Sequence, residues 1–323
     1  MNARQTVKEK MLTEPNYDKS GFVNYRYNNE DYKLWYGRVG AGHKPPVLIL
    51  HGGPGSNHHN LVAFQALADE RPVIFYDQLG CGKSDCPDNP ALWTAERYFD
   101  EPRAVRDGLN LDKYHLIGHS WGTTLAVGFA AQYPDGILSI SLHSPVLSFP
   151  RYREEVAPNI KDKLKSFGGR GGEIIDDYEL KGQGKKEDYE EVCHELARKY
   201  VVLARPLPDS MKKMLSRRNK QIHDVMVGSD SELNIPGNLR KVDVTGELSS
   251  LNVPILVTCG SNDFCLPDYC RWQTGFAKHA KFYIISHSAH MTPVDNPEEL
   301  MKIQSVFLDK AETGGNELKK EKI

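Results

Sequence analysis

The chain has 323 residues, with 41 Lys plus Arg against 43 Asp plus Glu and a formal net charge of −2. A balance this close to neutral offers no electrostatic grip on nucleic acid or an anionic membrane, so neither is expected as a partner. The length suits one α/β core carrying a large insertion, and 39% hydrophobic with 9% aromatic residues can support a real core.

The opening stretch MNARQTVKEKMLTEPNYDKS lacks an apolar signal-like run, and no stretch of about 18 apolar residues follows. The six Cys form no C-x-x-C pair, and no His lies at zinc-finger spacing. A cytoplasmic protein with reduced thiols, no metal and no cofactor is expected. Oligomeric state is not legible.

Residues 1–20 read as an N-terminal extension. Gly21 to Gly37 alternates aromatic and polar residues around Asn28–Asn29, the pattern of an edge hairpin. Val47 to Leu50, Val73 to Tyr76, His115 to Ile117, Ile137 to Leu142, Ile255 to Thr258 and Phe282 to Ile285 are short apolar runs, as strands buried on both faces require. Amphipathic stretches at Leu61 to Leu67, Thr123 to Gln132 and Pro297 to Leu308 separate several of them. The alternation predicts a mostly parallel, doubly wound sheet flanked by helices. Between Ser148 and about Ser250 the rhythm stops, and KEDYEEVCHELARKYVV and SMKKMLSRRNKQIHDVM carry helical periodicity. The expected organisation is core at 21–147, an inserted helical cap at 148–250, with a flexible joint at Gly168 to Gly172, core again at 251–310, and a flexible tail at 311–323.

Gly118-His119-Ser120-Trp121-Gly122 matches G-x-S-x-G between a buried strand and a helix of small residues. That context marks the nucleophile elbow of an α/β-hydrolase fold, with Ser120 as nucleophile. The fold's order is Ser, acid, His. Asp263, in the Gly-containing turn after the strand Ile255 to Thr258, is the expected acid, with Asp268 the rival. After the strand Phe282 to Ile285, His290 is preferred to His287 as base because the imidazole needs a loop to reach back to Ser120. Asp263 would fix the tautomer of His290. The loop His51-Gly52-Gly53-Pro54-Gly55 can turn a bare N–H to the substrate, so Gly53 and Trp121 are the expected oxyanion donors. His51 and His119 read as bracing and packing residues.

Taken together, HGGPG, the Tyr76 to Ser84 segment YDQLGCGKS and GHSWGT resemble the proline iminopeptidases and related amino-acid amidases of the α/β-hydrolase superfamily. The resemblance implies a serine exopeptidase or amidase acting on a short peptide or amino-acid amide with a free N-terminal amine. It also implies cap carboxylates that hold the ammonium. Met226 to Leu233 resembles the family's Met-x-Gly-x-x-Glu-Phe segment with one extra residue, making Glu232 the first ammonium ligand and Asp230 its rival. Glu191 is the expected second ligand, with Glu195 next. A carboxylesterase or lactonase on the same core is the alternative reading. A non-catalytic small-molecule receptor is the remote one.

Overall fold

Two asparagines make the first turn of the sheet. Asn28 and Asn29 have φ of 49° and 66°, the left-handed pair that a two-residue hairpin demands. In the computed structural model, which describes residues 6–313, they join β1 (Lys19–Tyr27) to β2 (Glu30–Val39) antiparallel. The strands β3 (Val47–Leu50), β4 (Val73–Tyr76), β5 (Tyr114–His119), β6 (Ile137–His143), β7 (Ile255–Gly260) and β8 (Ala280–Ile285) follow. The sheet order is β1-β2-β4-β3-β5-β6-β7-β8, parallel from β4 onward and antiparallel at the hairpin. β3, β4, β5 and β7 are buried along their whole length, which accounts for their unbroken apolar runs. β8 closes the edge and is mostly half-buried.

The helices depart from simple amphipathicity. Trp121–Gln132 is buried on almost every side, with Gly122 against the Leu50 carbonyl of β3 and Gly128 against the ring of Phe99. Leu61 to Leu67 is not an α-helix. It belongs to 3₁₀ turns over His58–Leu67 whose residues are nearly all buried. A helix over Ala95–Gly108, unmarked by apolar periodicity, buries Arg97 and Glu101 against each other with both side chains fully enclosed.

From Phe149 to Ser250 the described residues form helices and no strand. This segment leaves and rejoins the core at one place. Ser148 Oγ donates to Asp243 Oδ2 at 2.6 Å, and the backbone N–H groups of Phe149 and Val244 donate to the carbonyls of Val242 and Leu147. At 168–172, Gly168 and Gly169 take positive φ before a helix begins at Gly171. The helix Pro297–Glu312 covers the start of the expected tail, of which residues 314–323 lie outside the described residues, as do 1–5 of the expected extension.

The arm before β1 touches both layers. Gln65 Nε2 donates to the carbonyls of Met11 and Thr13 at 3.0 and 2.8 Å. The Glu14 carboxylate lies 3.0 Å from His59 Nε2 and 3.8 Å from His58 Nε2 of the core, and 3.0 Å from Lys213 Nζ of the helical segment. Those three groups hold its pKa far below the usual carboxylate range. No described helix is long and apolar enough to cross a membrane.

Candidate active site

The loops after β3, β5, β7 and β8 gather at the carboxyl edge of the parallel sheet, where open α/β sheets place their sites. Ser120 follows β5 at once, with φ 55° and ψ −126°. A non-glycine residue is held there only by its surroundings, and the flanking glycines supply the room. A Cβ on Gly118 would sit 2.3 Å from the Gly122 carbonyl oxygen, and one on Gly122 would sit 2.1 Å from that of Leu50. The pentapeptide is therefore a packing requirement of the turn. Ser120 precedes the helix Trp121–Gln132 and makes no side-chain cap to it, so its hydroxyl is left to the cavity, which it lines together with His290.

Asp263 and His290 form a close pair, and His290 shares the cavity lining with Ser120. His290 Nδ1 lies 2.8 Å from Asp263 Oδ1, which also accepts from the backbone N–H of Cys265 at 2.9 Å. Burial alone would raise the Asp263 pKa, but the facing imidazole and these donors hold it below the ordinary carboxylate value. The carboxylate thus accepts the Nδ1 proton and leaves Nε2 free as a base. Of the rival candidates, Asp268 and His287 are both exposed, and neither joins this pair. Cys265 Sγ packs 3.7 Å from His290 Nδ1, and burial raises its thiol pKa well above normal.

The main chain of His290 is fixed as firmly as its ring. His119 Nε2 and Ser144 Oγ both donate to the His290 carbonyl at 2.9 Å. His119 is thereby committed as a neutral donor, and burial lowers its pKa to about 3.

Gly53 has φ +120°, and a Cβ there would fall 2.7 Å from the Ser56 N, so the turn accepts only glycine. Gly53 and Trp121 both border a recess beside Ser120, and Trp121 opens its helix, where backbone N–H groups lack intrahelical partners. His51 braces this loop. Its Nδ1 donates to the Gly52 carbonyl at 2.9 Å while its Nε2 accepts from the Gln78 N–H at 3.0 Å. Burial lowers its pKa to about 4 and keeps it neutral. Gln78 continues the chain of contacts, donating to the His51 carbonyl and accepting from Trp121 Nε1 at 3.1 Å. Asp77 in turn takes His58 on Oδ1 and the Lys83 N–H on Oδ2, and a Cβ on Gly82 would lie 2.2 Å from that oxygen. The YDQLGCGKS segment thus supports the loop that borders the recess beside Ser120.

The helical segment roofs a cavity of about 730 Å³ over Ser120 and His290. Glu232 lines it, at φ 58°. Its Oε1 lies 3.2 Å from His223 Nε2 and 3.6 Å from Arg218 Nη2. Burial works against ionisation, but His223 and Arg218 hold its pKa below the ordinary value. Asp230 also reaches the wall, but its side chain is 56% exposed and lies 3.5 Å from Lys220.

Glu191 does not belong to this site. It faces solvent, 53% exposed, and pairs with Arg198 at 3.3 Å. Its helix turns Cys193 and His194 to the cavity instead. Glu195 is buried but spent elsewhere, accepting from the backbone N–H groups of Lys165 and Ser166 and pairing with Lys199. Sequence reasoning missed Arg205 and Arg218 on the cavity wall, and Phe149, Tyr152 and Phe264 around the recess. The basic run SRRNK was the available signal for Arg218, read only as a helix face.

Comparison with known proteins agrees with this architecture. A family described as the alpha/beta hydrolase fold matches residues 45–297. A proline iminopeptidase of Heyndrickxia coagulans is 36% identical over 265 residues, 82% of this chain and 90% of that protein. One of Lactobacillus helveticus is 31% identical over 284 residues, 86% of this chain and 95% of that protein. The crystal structure of a Mycobacterium smegmatis proline iminopeptidase superposes with a TM-score of 0.80 at 26% identity, covering 92% of this chain and all of that one.

Proposed function

The chain belongs to the proline iminopeptidase family of α/β hydrolases, and from that premise we propose that Ser120, Asp263 and His290 release an N-terminal residue from short peptides through an acyl-enzyme. The observation that carries the reading is the pairing of an acyl-transfer centre with an acidic group, Glu232, on one cavity wall. A buried ammonium needs such a partner.

Ser120 Oγ attacks the carbonyl of the first residue as His290 Nε2 takes its proton. The carbonyl π electrons move onto oxygen, where the N–H groups of Gly53 and Trp121 stabilise them. His290, now an imidazolium supported by Asp263, passes the proton to the leaving amine as the C–N bond breaks. Water deprotonated by the same imidazole then cleaves the ester and frees Ser120. Throughout, Glu232 holds the substrate's ammonium and sets how deep the chain can enter. With the ammonium held there, the carbonyl offered to Ser120 is that of the first residue, which makes the reaction an exopeptidase step.

The recess beside Ser120 suits the first side chain. Val146, Phe149, Tyr152, Val227, Ile235 and Phe264 give it apolar walls, with Glu232 at its margin. A pyrrolidine ring is compact and apolar on every side but its nitrogen, so proline fills such a recess with its amine at the carboxylate. The helical segment at 148–250 acts as the cap that builds this specificity. The six free thiols suit the cytoplasmic setting expected for the chain.

The test is a panel of aminoacyl arylamides with free and acetylated amines. A loss of about 100-fold or more on acetylation of the prolyl substrate is expected, since the acetylated nitrogen carries no charge for Glu232 to hold. Equal turnover with and without the acetyl group would favour a simple esterase-type hydrolase instead.

A further inference from the structure

The cavity over Ser120 carries more positive charge than an ammonium site should. Five charged side chains line it: Arg198, Arg205, Arg218, Asp230 and Glu232. Two have partners outside, Arg198 with Glu191 at 3.3 Å and Asp230 with Lys220 at 3.5 Å. Arg205, Arg218 and Glu232 remain, two cations against one anion.

Arg218 is incompletely satisfied, and Arg205, exposed at the cavity's rim, has no anionic partner among the described residues. Arg205 donates Nη1 to the carbonyls of Val202 and Ala204, at 3.0 and 2.7 Å, and no carboxylate among the described residues lies within ion-pair distance of it. Arg218 Nη2 is buried without a hydrogen-bond partner. Its nearest anion, Glu232 Oε1, is at 3.6 Å, close enough for attraction and too far for a hydrogen bond. A guanidinium's fork matches a carboxylate, and an unmet buried donor is costly until something accepts from it.

A substrate's ammonium makes this imbalance worse. When it docks on Glu232 it competes with Arg218 for the same oxygens, and the cavity gains a further positive charge. A ligand that brings a carboxylate along with its ammonium offsets the added charge and gives the arginines an acceptor. We propose that Arg205 and Arg218 form a carboxylate subsite on the leaving-group side of Ser120, so that the enzyme's preferred substrates are di- and tripeptides with both termini free. In the empty cavity Arg218 leans on Glu232. In the complex the substrate's ammonium takes Glu232 and its C-terminal carboxylate takes the freed guanidinium. The proposal rests on the exopeptidase reading above and adds what lies beyond the scissile bond.

The experiment compares kcat/KM for prolyl-alanine, prolyl-alanine amide and a prolyl arylamide, in the wild type and in the double variant Arg205→Gln, Arg218→Gln. The quantity read is the ratio of free acid to amide, which a general loss of activity leaves untouched. In the wild type the ratio is expected to be about 10 or more, the value of one charge-assisted hydrogen bond pair. In the double variant it should fall to within about twofold of unity. A wild-type ratio near one, with the arylamide still turned over, overturns the carboxylate subsite and leaves the exopeptidase standing. A ratio preserved in the double variant overturns it equally. Should the double variant fail to fold, adding salt to the wild type decides. A ratio that shrinks as salt rises supports the subsite, and one that does not move rejects it. Failure of the wild type on all three substrates would bring down the exopeptidase reading and this proposal with it.

Discussion

The imidazole of His119 donates its Nε2 proton to the carbonyl of His290 at 2.9 Å, with the two rings 4.9 Å apart. The residue before the proposed nucleophile thus holds the backbone of the proposed base. This makes His119 a positioning residue. His119→Ala is expected to lower kcat about tenfold with KM little changed, because Ser144 still anchors the same carbonyl. His119→Gln, whose amide can donate along a similar line, should recover most of the loss. Equal defects in both variants would show that the residue serves only to fill space.

Asp263→Asn should leave the fold intact and reduce kcat about 10⁴-fold, since an amide facing Nδ1 favours the wrong imidazole tautomer. Ser120→Ala should cost at least as much. Single-turnover kinetics on a prolyl arylamide reads both. Residual activity in either variant within tenfold of wild type would remove that residue from the chemistry.

Glu232→Gln separates binding from chemistry. The amide keeps the shape but cannot neutralise an ammonium, so prolyl substrates should lose about 10- to 100-fold in kcat/KM. A simple acetate ester has no amine to place and should lose far less. Parallel losses on both would exclude Glu232 as the ammonium partner.

The buried pair Arg97 and Glu101 predicts a stability effect remote from the site. Both side chains are fully enclosed, and Glu101 Oε1 accepts from the Leu79 N–H at 3.0 Å, tying the pair to the loop that braces His51. Arg97→Met strands a buried carboxylate and should cost about 3–5 kcal/mol in urea denaturation. A change below about 1 kcal/mol would mean that water reaches the site.

Four buried histidines set an acid limb of stability. His51, His115 and His143 have pKa values pushed down to about 4, and His119 to about 3, with burial the largest cause in each. Their neutral forms are those the fold accepts. The unfolded chain therefore binds more protons than the folded one between the folded values and the ordinary 6.5. Stability from this source is complete above about pH 6.5 and is lost as pH falls towards 4, by up to ~1.4 kcal/mol per pH unit for each group. His143 illustrates the cause, with Nδ1 on Thr258 Oγ1 and Nε2 on Gln304 Oε1 inside the core. Denaturation midpoints measured from pH 7 to 4.5 should fall, and His143→Gln should flatten the slope. An unchanged slope in that variant would count against the assignment.

Legibility followed the physics of each element. Val47–Leu50 and Val73–Tyr76 have the same ends in sequence and structure because a strand buried on both faces writes itself as an unbroken apolar run. The turn around Ser120 was readable because two glycines are sterically compelled. The helix Ala95–Gly108 was not, since Arg97 and Glu101 occupy its inner face and Pro102 lies within it. Glu191 failed for another reason. Helical periodicity gives a face but not what that face meets, and here the cavity took Cys193 and His194 while Glu191 turned to Arg198. Arg205 and Arg218 were hidden because a charged residue on an insert reads as solvated until the surface around it is seen to be concave.

Glu14 ties the arm to the cavity wall. Its carboxylate is gripped by Lys213 on one side and by the core imidazoles of His58 and His59 on the other. Any outward swing of the helix Asp209–Ser216, which supplies Met211 and Met214 to the cavity wall, must first break a charge pair at the arm. That stretch of the cavity wall is thereby fastened by a residue distant in sequence from Ser120, Asp263 and His290, through charge pairs that weaken as dissolved salt rises.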